Sequence, residues 1–550
     1  MASLKVLALS LSIVAVVLFG VLALVVARIR KNKNIAEDQT TEFFLTARKS
    51  APLWRIGWSF FASATGSWVV FAVPAFVVDP TYGAGYIGLI SYAVFTGLPL
   101  VLVAHVGQRI RAKYPNILSW GDFAQRRFGW SMQVYVSLVV LLNMAINLAA
   151  EYTAIGSLFE KVVGVNPIIP ILIVGGVTMI YTIVGGLYVS IVTDQYQGVF
   201  TLLLAAVTSV YLAVNFRLPD PRPPLPETLD ANYNGWASIG TLGISLICAT
   251  FFSDAVWQRV WASQDSRTLI RGASIGAGIA ILVAFFFGFG GLLAAWSGYL
   301  GDDSNLGFFY LLNQGGETKD VWIVVLVVVL ASIMNESAVD AYQCALTDTV
   351  VGLATCLGIP RLFNREEFPL FPARVLTLVI NVPLIIVGTR GYNINQIYLI
   401  PNMVTSCSTL PLLMGLVRPL EGYVHGRSVL FGCIFALNAV MVYGYIQTHD
   451  YWLGIQTYFY TTYDYGAFLT ALGASVVGVF LAAGVEAVVR LALGKPVRVE
   501  RADLMLPQKG NHHIADGDHH TFDADARTES RRLGAGNPSA ATLGNSKSED

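Results

Sequence analysis

Thirteen long apolar runs constrain this chain more than anything else in its sequence. They lie at roughly 4–28, 54–78, 84–108, 131–155, 166–186, 194–214, 236–257, 272–298, 321–346, 372–389, 396–416, 427–446 and 465–492. A helix needs roughly 20 mostly apolar residues to cross the hydrocarbon layer of a bilayer. Only helices and closed barrels satisfy their backbone polar groups there, and these runs are too long and continuous for barrel strands. The expected fold class is therefore an all-α membrane protein with about 13 transmembrane helices. Composition agrees: 55% of the 550 residues are hydrophobic and only 13% charged, where a soluble domain carries about 25% charged residues. The formal net charge is zero, so nothing points to nucleic acid. The first run is followed at once by Arg28, Arg30, Lys31 and Lys33, the pattern of a retained span rather than a signal peptide.

Basic residues orient the spans, because Lys and Arg concentrate in cytoplasmic loops. With the N-terminus outside, twenty Lys and Arg fall in loops that become cytoplasmic, against six in outer segments. The expectation is an N-terminus outside and a C-terminus inside. The five cysteines form no CxxC pair and read as core thiols. The stretch Pro219–Pro226 reads as a stiff extended linker. Beyond about Lys495 the chain is polar, without an apolar stripe, and reads as a disordered cytoplasmic tail. Its pairs His512–His513 and His519–His520 are open to two readings, metal ligands or solvated tail residues.

Transporters often bind their solutes where two spans are interrupted near the midplane, in corresponding places of two repeats. The second run contains Ala62-Ser63-Ala64-Thr65-Gly66-Ser67-Trp68, followed by Pro74. Unwound backbone there would expose carbonyls to a cation; close helix packing through small residues is the other reading. The seventh run, with Gly240, Gly243 and Ser245, is the second candidate. Spans 2 and 7 are five apart, which fits a five-plus-five inverted repeat. The expected organisation is 1–35 as an added span and its flank, 36–218 and 219–420 as the two repeats, 421–494 as added spans, and 495–550 as tail.

Ionisable residues inside a membrane are costly and are functional candidates by default. In the ninth run, Ser332, Glu336 and Asp340 share one helix face at four-residue spacing, with Asn335 beside them. Oxygen ligands suit a hard cation; a carboxylate could equally carry a proton. Asp340 could instead sit near water at the cytoplasmic end. Glu151, with Asn143 and Asn147, lies on one face of the fourth run, as a functional group or as an interfacial one. Asp194 could cap a helix.

The stretch Gly185-Gly-Leu-Tyr-Val-Ser-Ile-Val-Thr-Asp-Gln-Tyr-Gln197 resembles the GG…TDxxQ pattern of the sodium:solute symporter family. The run Ala62–Trp68 with Pro74 resembles the first broken helix of its proline and sugar symporters. Trp257-Gln258-Arg259…Ser263 is similar to a family loop after the next broken helix, and Leu330-Ala-Ser-Ile-Met334 to the start of its cation-site helix. The resemblance spans roughly residues 40–450, and the proline and urea branches look nearest. It implies the inverted-repeat fold of the leucine transporter, with a cation held between the first broken helix and span 9. Matched by motif, the cation residues would be Ala62, Thr65, Ser332, Asn335 and Glu336. Ser63, Gly66, Ser67 and Trp68 would line the solute site, and Asp194 and Asp340 would support coupling or release. Where relatives carry two small hydroxyl residues, this chain has Asn335-Glu336, and Ala64 replaces an Asp of the proline symporters. The coupling ion, Na+ or H+, is thereby left open.

The function expected is secondary active symport of a small polar solute (an amino acid, urea or similar) by alternating access, in a lipid bilayer, by family default the plasma membrane. The alternatives are a passive channel or facilitator and a transport-like sensor. No nucleotide loop, zincin motif or nucleophile elbow suggests an enzyme, and no cofactor is expected beyond the coupling ion.

Overall fold

The computed structural model describes residues 2–32, 41–80, 83–115, 117–314, 321–357 and 370–498. Every apolar run falls on a helix. In chain order these are α1 (Ala2–Asn32), α2 (Leu53–Ala64), α3 (Val69–Val78), α4 (Gly85–Lys113), α5 (Trp130–Leu158), α6 (Ile168–Asn215) and α7 (Tyr233–Phe251). There follow α8 (Asp254–Ala262), α9 (Ser266–Trp296), α10 (Val321–Cys356), α11 (Leu370–Gly388), α12 (Ile394–Leu413), α13 (Gly426–Thr448) and α14 (Tyr465–Ala492). Nine helices among the described residues are long and apolar enough to cross a bilayer, and two bent pairs add to them. The expected tail, with its histidine pairs, lies outside the described residues beyond Arg498.

The bent pairs are α2 with α3, at 55°, and α7 with α8, at 58°. The first break falls at Thr65–Trp68, within the run of small residues read from the sequence. The second differs from the expectation. Gly240, Gly243 and Ser245 lie inside the continuous helix α7, where the glycines are packing points: a Cβ at Gly240 would meet Tyr465 at 2.2 Å, and one at Gly243 would meet Phe95 at 2.9 Å. The chain breaks instead at Phe252–Ser253, and Trp257–Ser263, expected as a loop, is mostly the helix α8. Arg259, counted as a loop cation, is fully buried on α8.

Helix α6 holds two apolar runs joined without a loop. Its arms, 168–185 and 187–215, meet at Gly186, whose φ of 59° and ψ of −162° are open to glycine alone. A Cβ there would lie 2.5 Å from the Phe44 carbonyl. Elsewhere ordinary chemistry sets the helix ends: the Asp265 carboxylate caps α9 by accepting the Thr268 N–H at 2.7 Å, and that bond holds its carboxyl below the usual range.

Helix α10 is enclosed almost throughout. It packs against α5, α6, α1 and the broken helix α2, while α9 packs against α2, α3 and α4. Helices α1, α13 and α14 form the periphery and present exposed Val, Leu and Phe side chains, such as Val14, Leu18, Phe431, Val485 and Val488. At one end of the bundle the chain before α2 meets the end of α8 through its main chain. Lys49 and Ala51 donate to the carbonyls of Trp261 and Ala262 at 3.1 and 2.9 Å, and Gln264 donates back to Ala51. Arg111 of α4 adds bonds to the Val260 carbonyl and the Ser263 hydroxyl.

Gly186→Ala should lower the thermal midpoint of the detergent-solubilised protein, by an amount equivalent to about 2–4 kcal/mol, because it adds left-handed strain to a backbone clash. Gly176→Ala, with open space around its Cβ, should change it by less than about 1 kcal/mol.

Candidate functional site

A break in a buried helix strands polar backbone groups that hydrocarbon cannot satisfy. At the α2/α3 break the partner is Glu151 of α5. Its Oε2 accepts the Ser67 N–H at 3.0 Å, the Ser67 hydroxyl at 2.9 Å and the Asn335 amide at 2.8 Å. The Asn335 amide also reaches Ser67 Oγ and the Glu151 carbonyl, each at 2.9 Å. Three elements are thus tied at one carboxylate, which has no solvent exposure. The interfacial reading of Glu151 is thereby replaced by one in which α5 carries it to the centre of the bundle. Gly66 is required beside it, since a Cβ there would sit 1.8 Å from Glu151 Oε1. At the second break, Asn143 donates to the Ala249 carbonyl at 2.9 Å and Trp257 Nε1 to the Phe251 carbonyl at 2.8 Å.

One face of α10 meets α6 and α8 in a second cluster. Asp194 pairs with Arg259 at 3.0 Å, both fully buried, and accepts the hydroxyls of Ser59 at 2.6 Å and Ser337 at 2.7 Å. Arg259 Nε donates to Ser59 Oγ. Asp194 is therefore no helix cap but the counter-charge that clamps α8 and α2 to α6. Asp340 accepts the Tyr181 and Ser190 hydroxyls at 2.8 and 2.9 Å; it is buried rather than set near water. Both carboxylate oxygens of Glu336 lack a hydrogen-bond partner, beside the equally unpaired side chain of Gln197.

The expected cation residues divide. Asn335 turns to Glu151 and Ser67. Ser332 spends its hydroxyl on the Val328 carbonyl and Thr65 on the Phe61 carbonyl. The carbonyls of Ala62 and Thr65 accept no backbone hydrogen bond among the described residues. Of the expected solute-site residues, Ser63 and Trp68 line a cavity of about 850 Å³, measured with its mouth, while Gly66 and Ser67 lie behind its wall. Sequence reasoning missed most of that wall: Tyr92, Tyr342, Tyr398 and Tyr463, with Asn147, Asn395 and Asn402. No periodic signal separates these aromatics from packing residues.

Comparison with solved structures defines the class first. A Na+-coupled sialic acid symporter, solved in a substrate-bound outward-open state, superposes with a TM-score of 0.63 at 14% identity, covering 87% of this chain and 98% of that one. Mhp1, a nucleobase-cation-symport-1 family transporter, superposes at 0.50, also at 14% identity, over 85% of this chain and 98% of its own. The fold is that of a multi-pass membrane transporter. Residues 43–217 match the sodium:solute symporter family. The spermidine transporter DUR31 of Candida albicans is 28% identical over 72% of this chain and 76% of its own length. The sodium/sialic acid symporter SiaT of Proteus mirabilis is 25% identical over 66% and 75%. The chain is thus similar to the sodium:solute symporter family over residues 43–217, and to curated transporters over 411 and 396 residues.

Arg259→Met should destabilise the protein by about 3–5 kcal/mol, because it leaves Asp194 buried and uncompensated. The double variant Asp194→Asn/Arg259→Gln should cost clearly less than the sum of its single variants, a non-additivity readable in thermal unfolding.

Proposed function

We propose that the chain couples inward movement of Na+ to uptake of a small polar solute. The observation that carries this reading is a charge imbalance. In the buried cluster of α6, α8 and α10, the buried carboxylates are Glu336, Asp340 and Asp194, and Arg259, paired with Asp194, is the one fully buried basic side chain among the described residues. A dry site with surplus carboxylates takes up cations, since unpaired buried charge is very costly. Oxygen ligands favour a hard ion. The bare Glu336 carboxylate and the open carbonyls of Ala62 and Thr65 are the groups we assign to it, with Ser332 and Asn335 on the same helix.

Residues 36–218 and 219–420 form the two inverted repeats in this reading, each opening on a broken helix. With the N-terminus outside, α3, α7 and the start of α12 are outer halves, so the cavity they line opens outward. The contact between the chain before α2 and the end of α8 closes the cytoplasmic side. Ion binding between α2 and α10 would order the broken helix, prepare Ser63 and Trp68 for the solute and permit the rocking that exposes them inward. The solutes named for the relatives (spermidine and sialic acid) bound the search, and Na+ fits their names better than H+.

The test is thermal unfolding in detergent, exchanging K+ for Na+ at constant ionic strength. A ligand that binds only the folded state stabilises it by about 2.7 kcal/mol at a hundred-fold excess over Kd. A saturable rise with Na+ is expected, lost in Glu336→Gln. A midpoint blind to Na+ but moved by pH, and made pH-independent by the same variant, would transfer the coupling to protons. In proteoliposomes an imposed Na+ gradient should drive accumulation of solute against its own gradient, which a channel cannot do.

A further inference from the structure

The solute cavity has a wall of unusual polarity. Its aliphatic hydroxyls are largely committed: Ser63 donates to the Phe60 carbonyl, Thr96 to Tyr92 and Thr250 to Leu246, while the phenols of Tyr92, Tyr342 and Tyr398 also line the cavity. One amide hydrogen of Asn147 goes to Asn143, and one of Asn402 goes to the Tyr463 hydroxyl, which itself donates to the Asn395 carbonyl. What the hydroxyls of Ser63, Thr96 and Thr250 have left is lone pairs, and each amide keeps its carbonyl oxygen. Between them stand aromatic faces, with Trp68 packed 5.9 Å from Tyr92 and 6.0 Å from Tyr398, centroid to centroid. No Lys, Arg, Asp or Glu lines the cavity.

Glu151 stands directly behind that wall. It is anchored to Ser67, next to Trp68, which lines the cavity. Its Oε2 accepts three donors, bonds that favour the carboxylate over the neutral acid against the opposing effect of burial. No basic side chain pairs with it among the described residues, and its Oε1 has no hydrogen-bond partner.

We infer that Glu151 is the charge-selecting residue of the solute site, and that the substrate class is an organic cation, an amine carried as its ammonium. Aromatic faces attract such a cation through their π systems, the wall's lone pairs accept its N–H groups, and the carboxylate behind supplies the counter-charge that the cavity lacks. An anionic solute would find no cationic side chain in the described wall and would face the Glu151 carboxylate behind it. Glu151 acts here through the wall, so it is a positioning and selectivity residue. The inference rests on reading this cavity as the solute site of a symporter.

The test uses the full chain in detergent, in saturating Na+, with isosteric probes: choline against 3,3-dimethyl-1-butanol, and putrescine against 1,4-butanediol and succinate. Saturable thermal stabilisation is expected from at least one amine, with its alcohol counterpart and succinate at least ten-fold weaker. Glu151→Gln should reduce that amine-to-alcohol preference at least ten-fold. Thr250→Lys, which places a cation on the wall away from the α2/α3 break, should abolish amine binding and is read if Glu151→Gln does not fold. Stabilisation by alcohols or succinate as strong as by amines, by none of the probes, or an amine preference intact in the variant that folds overturns the inference. The Na+ shift of the wild type is scored separately: its absence counts against the symport reading, whatever the amines do.

Discussion

The core is organised by one requirement: a helix interrupted inside a bilayer must find partners for the backbone groups that the interruption frees. At the first break the partner is the Glu151 carboxylate, gripped in turn by Ser67 and Asn335. At the second it is the Asn143 amide and the Trp257 indole. Each solution recruits neighbouring helices, so the breaks are where α2, α5, α7 and α10 are bound to one another. Because α5 supplies both Glu151 and Asn143, two turns apart on one face, a single straight helix supports both interruptions.

Charge is distributed with the same economy. The guanidinium of Arg259 serves Asp194 and, through Ser59, the first half of the broken helix. Asp340 is held by hydroxyls, while Glu336 has the Gln197 side chain beside it and no hydrogen bond of good geometry among the described residues. A gradient from fully paired to unpaired carboxylate therefore runs over neighbouring turns of α6 and α10. Structural ion pairs resist exchange with a mobile ion, while a bare carboxylate invites it. The cluster thereby separates the groups that hold the bundle together from the group we assign to the ion.

Much of this was legible in the sequence. The helical runs, the first break and the placing of Glu336 inside a membrane-spanning helix follow from hydropathy and small residues. The second break was not, because glycine marks close approach as readily as unwinding; Gly240 and Gly243 accommodate Tyr465 and Phe95, whereas the chain opens at Phe252-Ser253, which carries no glycine. Arg259 was misread for a related reason: a lone arginine just past an apolar run looks like a loop residue until a carboxylate 65 positions away in sequence is seen beside it. The role of Glu151 depended on depth, which periodicity does not report, and the aromatic wall on contacts among α3, α4, α10 and α12.

The main-chain contact between residues 49–51 and the end of α8 has a consequence for how this protein answers its surroundings. Amide hydrogen bonds carry no net charge and do not titrate. The main-chain part of that latch should therefore hold equally well at any pH or salt concentration and tolerate many side-chain replacements at Lys49 or Ala51, with the Arg111 bonds beside it as its charged part. It can act as a constant resistance to opening. Sensitivity to ions or to voltage must then enter from the carboxylates at the middle of the bundle, so the threshold and the trigger of the transport cycle reside in separate parts of the molecule.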